Sequence, residues 1–367
     1  MSDRKIKIII AGGGTGGHIY PALSIADAIK MKNPASEILF IGTPIGLESK
    51  IVPKAGYKLE LIQSGKLNFS GQIFNKIKTL VKIPIGLIQS VFIILRFKPD
   101  YVLGVGGYAS APTLLAAKLL CCRTAIWEPN AHPGMANRIL SQIVQKAFLV
   151  FEEGRKYIKS KETLVFGMPL RSEIEKFAIE SKQHSRSEEH LFTILCFGGS
   201  QGSVFLNDQL STFILKHPEL HSKIRIFHQT GSLDYQRMVQ KYNGLSCVQV
   251  FEYIYDMPQY YKQADLLFCR GGASTLAEAA AFGVVPMVVP LPAADDHQQK
   301  NAEALVKQNA GFMFLQKQFD HEQFKKVILQ MMHEPELRKQ MSVNLSQIAP
   351  REASGQIAQN ILAEVVL

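Results

Sequence analysis

The sequence predicts an α/β protein made of two doubly wound domains, each a parallel sheet covered by helices. Its 367 residues exceed what one hydrophobic core usually organises, so length alone favours two domains. Short apolar, β-branched runs alternate with helical patterns along the chain, as in parallel sheets with helical crossovers. Only the stretch from Glu175 to His190 breaks this alternation, and its polar, charged composition is typical of a linker.

Strands are predicted on both sides of this linker. In the first half they are Ile6–Ile10, Ile38–Ile41, Tyr101–Val105, Thr124–Trp127 and Ala147–Phe151. In the second half they are Phe192–Phe197, Ile224–His228, Val248–Phe251, Leu266–Cys269, Val285–Val289 and Gly311–Leu315. We therefore predict a first domain over 1–175, a linker over 176–190 and a second domain over 191–350. A terminal helix is expected within 351–367, and its spacing does not decide which domain it packs on.

Composition indicates a globular protein, with 47% hydrophobic and 20% charged residues. The five cysteines lack metal-ligand spacing, which favours reduced, buried thiols. The apolar stretch Lys5 to Ile10 lacks the features of a signal peptide, and no apolar run has the length of a membrane span. We therefore expect a cytoplasmic protein.

The net charge of +10 belongs to the first half, where residues 1–175 hold 23 Lys and Arg against 12 Asp and Glu. No acid lies between Glu60 and Asp100, and basic residues surround the apolar run 83–95. Breaks in this run predict a pair of surface helices within 66–98 that contact anionic lipid headgroups. A buried core helix with solvated ends is the alternative, and this segment alone does not decide between them. Nucleic-acid binding is not expected, because the basic residues border aliphatic sequence.

A glycine-rich turn follows the first predicted strand, and Gly12, Gly14 and Gly17 satisfy G-x-G-x-x-G. A nicotinamide-binding domain also needs an acid at the end of its second strand, and residues 38–44 offer none. The turn is therefore interpreted as an anion site, where backbone N–H groups and a helix N-terminus approach a phosphate.

His18 follows directly on the first turn of the next helix. A structural role is the common one for a lone histidine, but an imidazole at this edge suits a base that deprotonates a sugar hydroxyl. Glu128 is the only acid in the neighbouring loops and is the second candidate base. Gly106 and Gly107 either line an acceptor phosphate or turn the chain, and Glu128 and Asn130 either bind sugar hydroxyls or cap a helix.

The second half repeats the strand, glycine and helix arrangement. Ser200 lies in such a loop, where its hydroxyl and the neighbouring N–H groups suit a pyrophosphate. Glu278 follows another, and it either accepts the ribose hydroxyls of a nucleotide or belongs to a capping box. Gln298 and Gln299 offer amides suited to sugar hydroxyls.

No spaced acidic pair is positioned to hold a metal ion on the pyrophosphate, since Asp295 and Asp296 are adjacent. We therefore expect no metal and no cofactor. Helix dipoles, backbone N–H groups and Arg171 are expected to meet the charge of the leaving group.

Taken together in this order, the motifs resemble the MurG family of bacterial UDP-N-acetylglucosamine:lipid-linked muramyl-pentapeptide N-acetylglucosaminyltransferases. The matching blocks are GGGTGGHIYPAL (12–23), GGYASAP (106–112), EPNAHPGMANR (128–138), GMPLR (167–171), GGSQGS (198–203), HQTG (228–231), RGGASTLAEAAAFG (270–283) and HQQKNA (297–302). The resemblance covers the full length of the chain.

The resemblance implies a GT-B fold, with two Rossmann-like domains facing a central cleft. It also implies inversion at the anomeric carbon, metal independence, and peripheral attachment to the cytoplasmic face of the inner membrane. The implied donor, UDP-N-acetylglucosamine, would contact Thr15, Gly16, Gly17, Asn130, Arg171, Ser200, Ile254, Ala273, Glu278, Gln298 and Gln299. The implied acceptor, a lipid-linked muramyl-pentapeptide, would contact Gly13, Gly14, Gly106, Gly107 and Tyr108, beside the base His18 or Glu128.

The chain departs from the family pattern at Met168, Ala111 and Ser203, where Asn, Gly and Ala are common. None of these removes an expected contact residue. A UDP-sugar 2-epimerase remains an alternative, because it shares the two-domain nucleotide architecture. A membrane-docked UDP-sugar-binding subunit is the non-enzymatic alternative.

Overall fold

The protein forms two compact α/β units. The structure, a computed structural model, describes residues 5–65, 73–181, 191–293, 296–348 and 352–366. The first unit contains the described residues up to Arg171 and those from Glu352 onward, and the second unit begins at Ser172. The predicted fold class, two domains with parallel sheets, is confirmed.

The first unit is built on a parallel sheet of seven described strands in the order β3-β2-β1-β4-β5-β6-β7. The strands are β1 (Lys7–Ala11), β2 (Glu37–Gly42), β3 (Lys58–Leu61), β4 (Tyr101–Gly104), β5 (Arg123–Glu128), β6 (Lys146–Leu149) and β7 (Glu162–Val165). Its helices are α1 (Gly16–Lys32), α2 (Glu48–Lys54), α3 (Ile73–Phe97), α4 (Ser110–Leu119), α5 (Met135–Leu140) and the terminal α14 (Ala353–Val366). Trp127, the one tryptophan of the chain, is fully buried in β5.

The second unit has a parallel sheet of six described strands in the order β10-β9-β8-β11-β12-β13. The strands are β8 (Phe192–Phe197), β9 (Ile224–Gln229), β10 (Val248–Phe251), β11 (Leu266–Cys269), β12 (Val285–Val288) and β13 (Phe312–Met313). Its helices are α6 (Ser172–Ser181), α7 (Val204–Lys216), α8 (Tyr235–Lys241), α9 (Met257–Gln263), α10 (Ala273–Phe282), α11 (His297–Lys307), α12 (His321–His333) and α13 (Pro335–Ile348). Short 3-10 helices lie at Glu152–Tyr157, Pro218–Leu220 and Gln316–Gln318.

Two predictions from the sequence need correction. The linker was placed from residue 176, but Ser172–Ser181 forms α6, which packs on α9 and α10 of the second unit. Residues 182–190 lie outside the described residues. The second correction concerns the predicted pair of surface helices. The structure has one helix there, α3, and Pro84 lies inside it without ending it. None of the helices in the described ranges has the length and apolar character needed to cross a membrane.

The terminal helix α14 belongs to the first unit, although it follows the second unit in sequence. It packs against α1 and is fixed to the sheet by Lys146. The Lys146 ammonium donates to Asn360 Oδ1 at 2.9 Å and lies 2.6 Å from a carboxylate oxygen of Glu364. This settles the packing that spacing alone left open.

Candidate active site

Each sheet has one point at which its strand order reverses, between β1 and β4 in the first unit and between β8 and β11 in the second. In open parallel sheets, ligands bind beyond the carboxyl ends of the strands at this point. The loops that follow these four strands, together with the first turns of the helices after them, carry most of the residues expected from the sequence to bind ligands.

The glycine turn after β1 uses its own N–H groups within the protein. The N–H of Gly12 donates to a carbonyl of β2 at 3.0 Å, and that of Gly13 to the Gly106 carbonyl at 3.2 Å. The N–H of Gly14 donates to Glu48 Oε2 at 2.7 Å. Gly13 and Gly14 were expected to line the acceptor site, and their N–H groups are engaged within the protein.

The N–H groups at the start of α1 are better placed to meet an anion. The helix begins at Gly16, and the Thr15 carbonyl accepts its first bonds, from the N–H groups of His18 and Ile19. Thr15 and Gly17 are exposed. The first N–H groups of a 17-residue helix have no intrahelical partners, and its dipole favours negative charge there.

His18 lies between the two glycine loops of the first unit. Its ring packs on Gly106, where an added Cβ would come within 2.7 Å of the ring carbon Cε1. Gly106 also has a φ of 91°, so glycine is required there for two reasons. Next to it, Gly107 packs on the Gly13 backbone, and the Tyr108 carbonyl accepts from Ser64 Oγ at 2.6 Å. The structure thus brings His18 together with the acceptor residues expected from the sequence.

Glu128, the second candidate base, is 2% exposed and already accepts four hydrogen bonds. Both N–H groups of Asn130, backbone and side chain, donate to Oε1 at 2.9 and 3.0 Å. The Gly134 N–H and the Asn137 amide donate to Oε2 at 3.2 and 2.8 Å. Burial raises the pKa of Glu128 although these donors lower it. Since a carboxylate has about four acceptor positions, this geometry favours loop bracing over proton transfer.

Arg171 and Tyr20 form a cation–π pair near the start of α1. The Arg171 guanidinium carbon lies 5.0 Å from the centre of the Tyr20 ring, and the same ring lies against Gly16. Arg171 is exposed. Its position beside this helix N-terminus is compatible with contact to an anionic ligand.

In the second unit, a buried glutamine ties two loops together. Gln229 is 1% exposed, donates to the Gly199 carbonyl at 3.0 Å and accepts from the Ile254 N–H at 2.9 Å. Ser200 lies exposed at the tip of the first of these loops. Gln229 was not predicted as functional, although its HQTG block was part of the resemblance.

The glycine junction after β11 is fixed to the start of α11. Gln298 Oε1 accepts from the N–H groups of Gly271 at 3.1 Å and Leu291 at 2.9 Å. Gln299 instead donates to Glu303 at 2.9 Å. The structure therefore places Gln298 beside α10 and directs Gln299 along its own helix. Asp295 lies outside the described residues.

Helix α10 begins at Ala273, which is buried, and carries Glu278 on its second turn. Glu278 is half-buried and interacts with the hydroxyl of Tyr261. Burial, and then the carboxylate of Glu278, raise the pKa of Tyr261. Tyr261 is held in turn by stacking on Phe282, with ring centres 5.3 Å apart, and its hydroxyl donates to the Thr275 carbonyl at 3.5 Å.

Arg270 is a functional candidate that the sequence did not single out. Its side chain donates to Ser203 Oγ at 2.8 and 3.2 Å, and to Gln316 Oε1 at 2.9 Å. It also donates to the carbonyls of Val289 and Pro290. Burial lowers its pKa, and none of the ion pairs among the described residues involves it. A buried cation held by neutral oxygens favours a bound anion at this edge of the sheet.

Two family models cover most of the chain. The glycosyltransferase family 28 N-terminal domain matches residues 8–149, and the family 28 C-terminal domain matches residues 193–357. An Acinetobacter baumannii MurG crystal structure superposes with a TM-score of 0.80 at 27% identity, covering 98% of this chain and 99% of that one. A UDP-GlcNAc 2-epimerase from Neisseria meningitidis superposes with a TM-score of 0.67 at 14% identity, over 98% and 99% of the two chains, which shows the fold alone.

Curated relatives narrow the family further. Proteins from Bdellovibrio bacteriovorus and Geobacter sp. strain M21 are 50% and 40% identical to this chain. The alignments cover 98% of this chain in both cases, and 99% and 96% of the relatives. Both relatives are UDP-N-acetylglucosamine--N-acetylmuramyl-(pentapeptide) pyrophosphoryl-undecaprenol N-acetylglucosamine transferases. The chain therefore belongs to glycosyltransferase family 28 and, within it, to the MurG family of N-acetylglucosaminyltransferases.

Proposed function

We propose that this protein transfers N-acetylglucosamine from UDP-N-acetylglucosamine to the muramyl sugar of undecaprenyl-pyrophosphoryl-N-acetylmuramyl-pentapeptide, a step of peptidoglycan synthesis. The observation that carries this proposal is 50% identity, over 98% of the chain, to a relative with that activity in its name. The anion-binding helix start beside His18 and the loops around Ser200 and Glu278 supply chemistry suited to two pyrophosphate-bearing substrates.

The proposed reaction is a single in-line displacement. His18 takes the proton of the acceptor hydroxyl as its oxygen bonds to the anomeric carbon, and the bond from that carbon to the UDP oxygen breaks. The configuration at this carbon is inverted, and UDP leaves with the bonding electron pair. Backbone N–H groups, helix dipoles and Arg171 stabilise the charge on UDP, so the step needs no metal ion.

The test is transfer by the purified protein from labelled UDP-N-acetylglucosamine to a lipid-linked muramyl-pentapeptide analogue. We expect a labelled lipid disaccharide, formed at the same rate with and without a chelator. Epimerised UDP-sugar in the absence of acceptor would instead support the epimerase alternative. If the purified protein binds the donor but transfers sugar only after a second protein is added, the binding-subunit alternative is supported.

We also propose that the protein is peripheral to the cytoplasmic face of the inner membrane and binds it through α3. Ile85, Ile88, Phe92 and Leu95 are 42%, 57%, 68% and 53% exposed and form one stripe at helical spacing. The opposite face of α3 packs on α4, where Leu119 adds another exposed apolar side chain. An exposed apolar stripe favours a lipid surface, and the excess of Lys and Arg in the sequence of this segment favours anionic lipid. Of the predicted segment 66–98, residues 66–72 lie outside the described residues.

Phe92→Glu tests this surface by placing a charge in the stripe. We expect its affinity for vesicles containing phosphatidylglycerol to fall by about tenfold or more, because an apolar side chain no longer enters the lipid. Met31→Glu is the matched control, since Met31 is 81% exposed on α1, a helix that packs against α14. Equal vesicle binding by the Phe92 variant and the wild-type protein would contradict the proposal.

A further inference from the structure

Glu48, the first residue of α2, is an acid that the reaction above does not use. It is 2% exposed, although it lies in a helix start next to the glycine turn. Its Oε1 accepts from the N–H and the hydroxyl of Thr43 at 2.8 and 2.9 Å, and its Oε2 accepts from the Gly14 N–H at 2.7 Å. A buried carboxylate is stable only where donors match it, so its contacts fix the segments that supply them.

The surrounding glycines are needed to admit this carboxylate. A Cβ on Gly13 would lie 2.2 Å from its Cδ, one on Gly42 2.4 Å from its Cγ, and one on Gly46 1.9 Å from its Oε2. Three segments therefore meet around one side chain: the glycine turn, the end of β2 and the turn before α2. Such close approach leaves the carboxylate little freedom to move.

The glycine turn and the start of α2 exchange hydrogen bonds, each donating to the other. The Gly14 N–H donates to Glu48, while the Gly14 carbonyl accepts from the Leu47 N–H at 3.4 Å. Gly14 has a φ of 95° and is followed directly by Thr15, the residue that precedes α1. The orientation of the peptide that leads into the anion-binding N–H groups of α1 thus depends on Glu48.

We propose that Glu48 is the positioning residue of the acceptor site, holding the glycine turn so that the start of α1 and His18 meet the acceptor pyrophosphate and its reactive hydroxyl. The proposal rests on the function proposed above. Glu48 stands near the end of β2, where a nicotinamide-binding domain would present its ribose acid, but its oxygens are engaged by Thr43 and Gly14. It acts through the loop and does not touch the substrate.

Glu48→Gln is the sharpest test, because it keeps the size of the side chain. With the amide oxygen toward Thr43, its NH₂ group faces the Gly14 N–H, so two donors oppose each other. We expect the KM for the lipid-linked acceptor to rise, or kcat to fall, by about tenfold or more. Loss of a hydrogen bond to a charged group has an effect of this size. The KM for UDP-N-acetylglucosamine should change less than the acceptor KM, since most of the expected donor contacts, from Ser200 to Gln299, lie in the second unit, which the change leaves intact.

Thr43→Val is the matched control, since it removes one donor to the same carboxylate and leaves the Gly14 contact in place. We expect its acceptor KM to stay close to that of the wild-type protein. Gly46→Ala, which displaces the carboxylate without changing charge, should reproduce the effect of Glu48→Gln. The emission of Trp127, buried in the same unit, verifies that each variant is folded.

The outcomes separate the two proposals. If the wild-type protein transfers sugar and folded Glu48→Gln has an unchanged acceptor KM and kcat, the role of Glu48 is wrong. Equal losses for Thr43→Val and Glu48→Gln would also contradict it, because the effect would then not depend on Gly14. Absence of transfer by the wild-type protein would instead reject the proposed function.

Discussion

At the level of single residues, several side chains expected to bind ligands also hold the protein's own loops. Gln298 binds two backbone N–H groups with its oxygen, and the Ile254 N–H is engaged by Gln229. Each residue thus offers a ligand only part of its hydrogen-bonding capacity. Because the protein's own hydrogen bonds hold these side chains and loops in place before a ligand binds, the entropic cost of binding is lower.

The sequence predicted the residues on glycine loops but not the buried residues behind them. Ser200 lies in the glycine loop after β8, and His18 lies in the first turn of the helix that follows the glycine turn after β1, so their positions could be predicted from the local sequence. Glu48 and Arg270 act through contacts with residues far along the chain, at Gly14 and Ser203. No local pattern distinguishes such a buried polar residue from an exposed one, so their roles required the fold.

His18→Ala tests the proposed base. We expect turnover to fall by roughly a hundredfold to ten-thousandfold, the range for loss of a general base, with little change in UDP affinity. Steady-state kinetics with labelled donor measures this, and His217→Ala, which removes a histidine on the second unit, is the control. Turnover near the wild-type rate in the His18 variant would reject the assignment and return attention to Glu128.

Among the elements, all strands of the second sheet and the central strands of the first were predicted, whereas the two edge strands of the first sheet were not. Buried strands such as β1 and β8 read as continuous apolar runs, which is what burial on both faces requires. The edge strands β3 and β7 are mixed in polarity and only half-buried, so no apolar run marked them. Helix α3 was divided in error because a proline usually ends a helix, whereas here Pro84 lies inside one continuous helix.

Arg270 joins the N-terminus of α7 to the loop after β12 through hydrogen bonds. Arg270→Lys tests the role of these bonds. A lysine ammonium cannot donate both to Ser203, the N-cap of α7, and to the carbonyls that follow β12, as the planar guanidinium does. We expect the KM for UDP-N-acetylglucosamine to rise, and unfolding of the second unit to need about 1–3 kcal/mol less free energy.

The control for this change is Arg237→Lys, since Arg237 forms partly exposed ion pairs with Asp208 and Asp234 on another part of the same unit. Its donor KM is expected to stay near the wild-type value. If both lysine variants raise the donor KM equally, Arg270 has no special role at the loops.

At the scale of the whole molecule, the two units place their glycine loops at the reversal points of similarly ordered sheets. The first unit carries the excess basic charge and the exposed apolar stripe of α3, whereas the second is nearly balanced in charge. This asymmetry suits a protein whose first unit meets a lipid-linked anion and whose second meets a soluble nucleotide sugar.

The second unit also makes the stability of the molecule depend on pH, through His228. This histidine is fully buried, with Nδ1 2.9 Å from the Tyr242 hydroxyl and Nε2 2.9 Å from Asn207 Oδ1. Burial lowers the pKa of His228 from 6.5 to about 3, although the charge of Asp234 acts in the opposite direction. Below pH 6.5 the unfolded chain therefore binds a proton that the folded chain does not, and stability falls as pH falls toward 3.

Between pH 7.5 and pH 5.0, this histidine is expected to lower the free energy of unfolding of the second unit by about 2 kcal/mol. Denaturant titrations followed by far-ultraviolet circular dichroism measure the loss, while Trp127 emission follows the first unit separately. His228→Gln keeps one donor and one acceptor but does not titrate, so its pH dependence should be smaller by that amount. If the wild-type protein and His228→Gln lose the same free energy on acidification, another group is responsible.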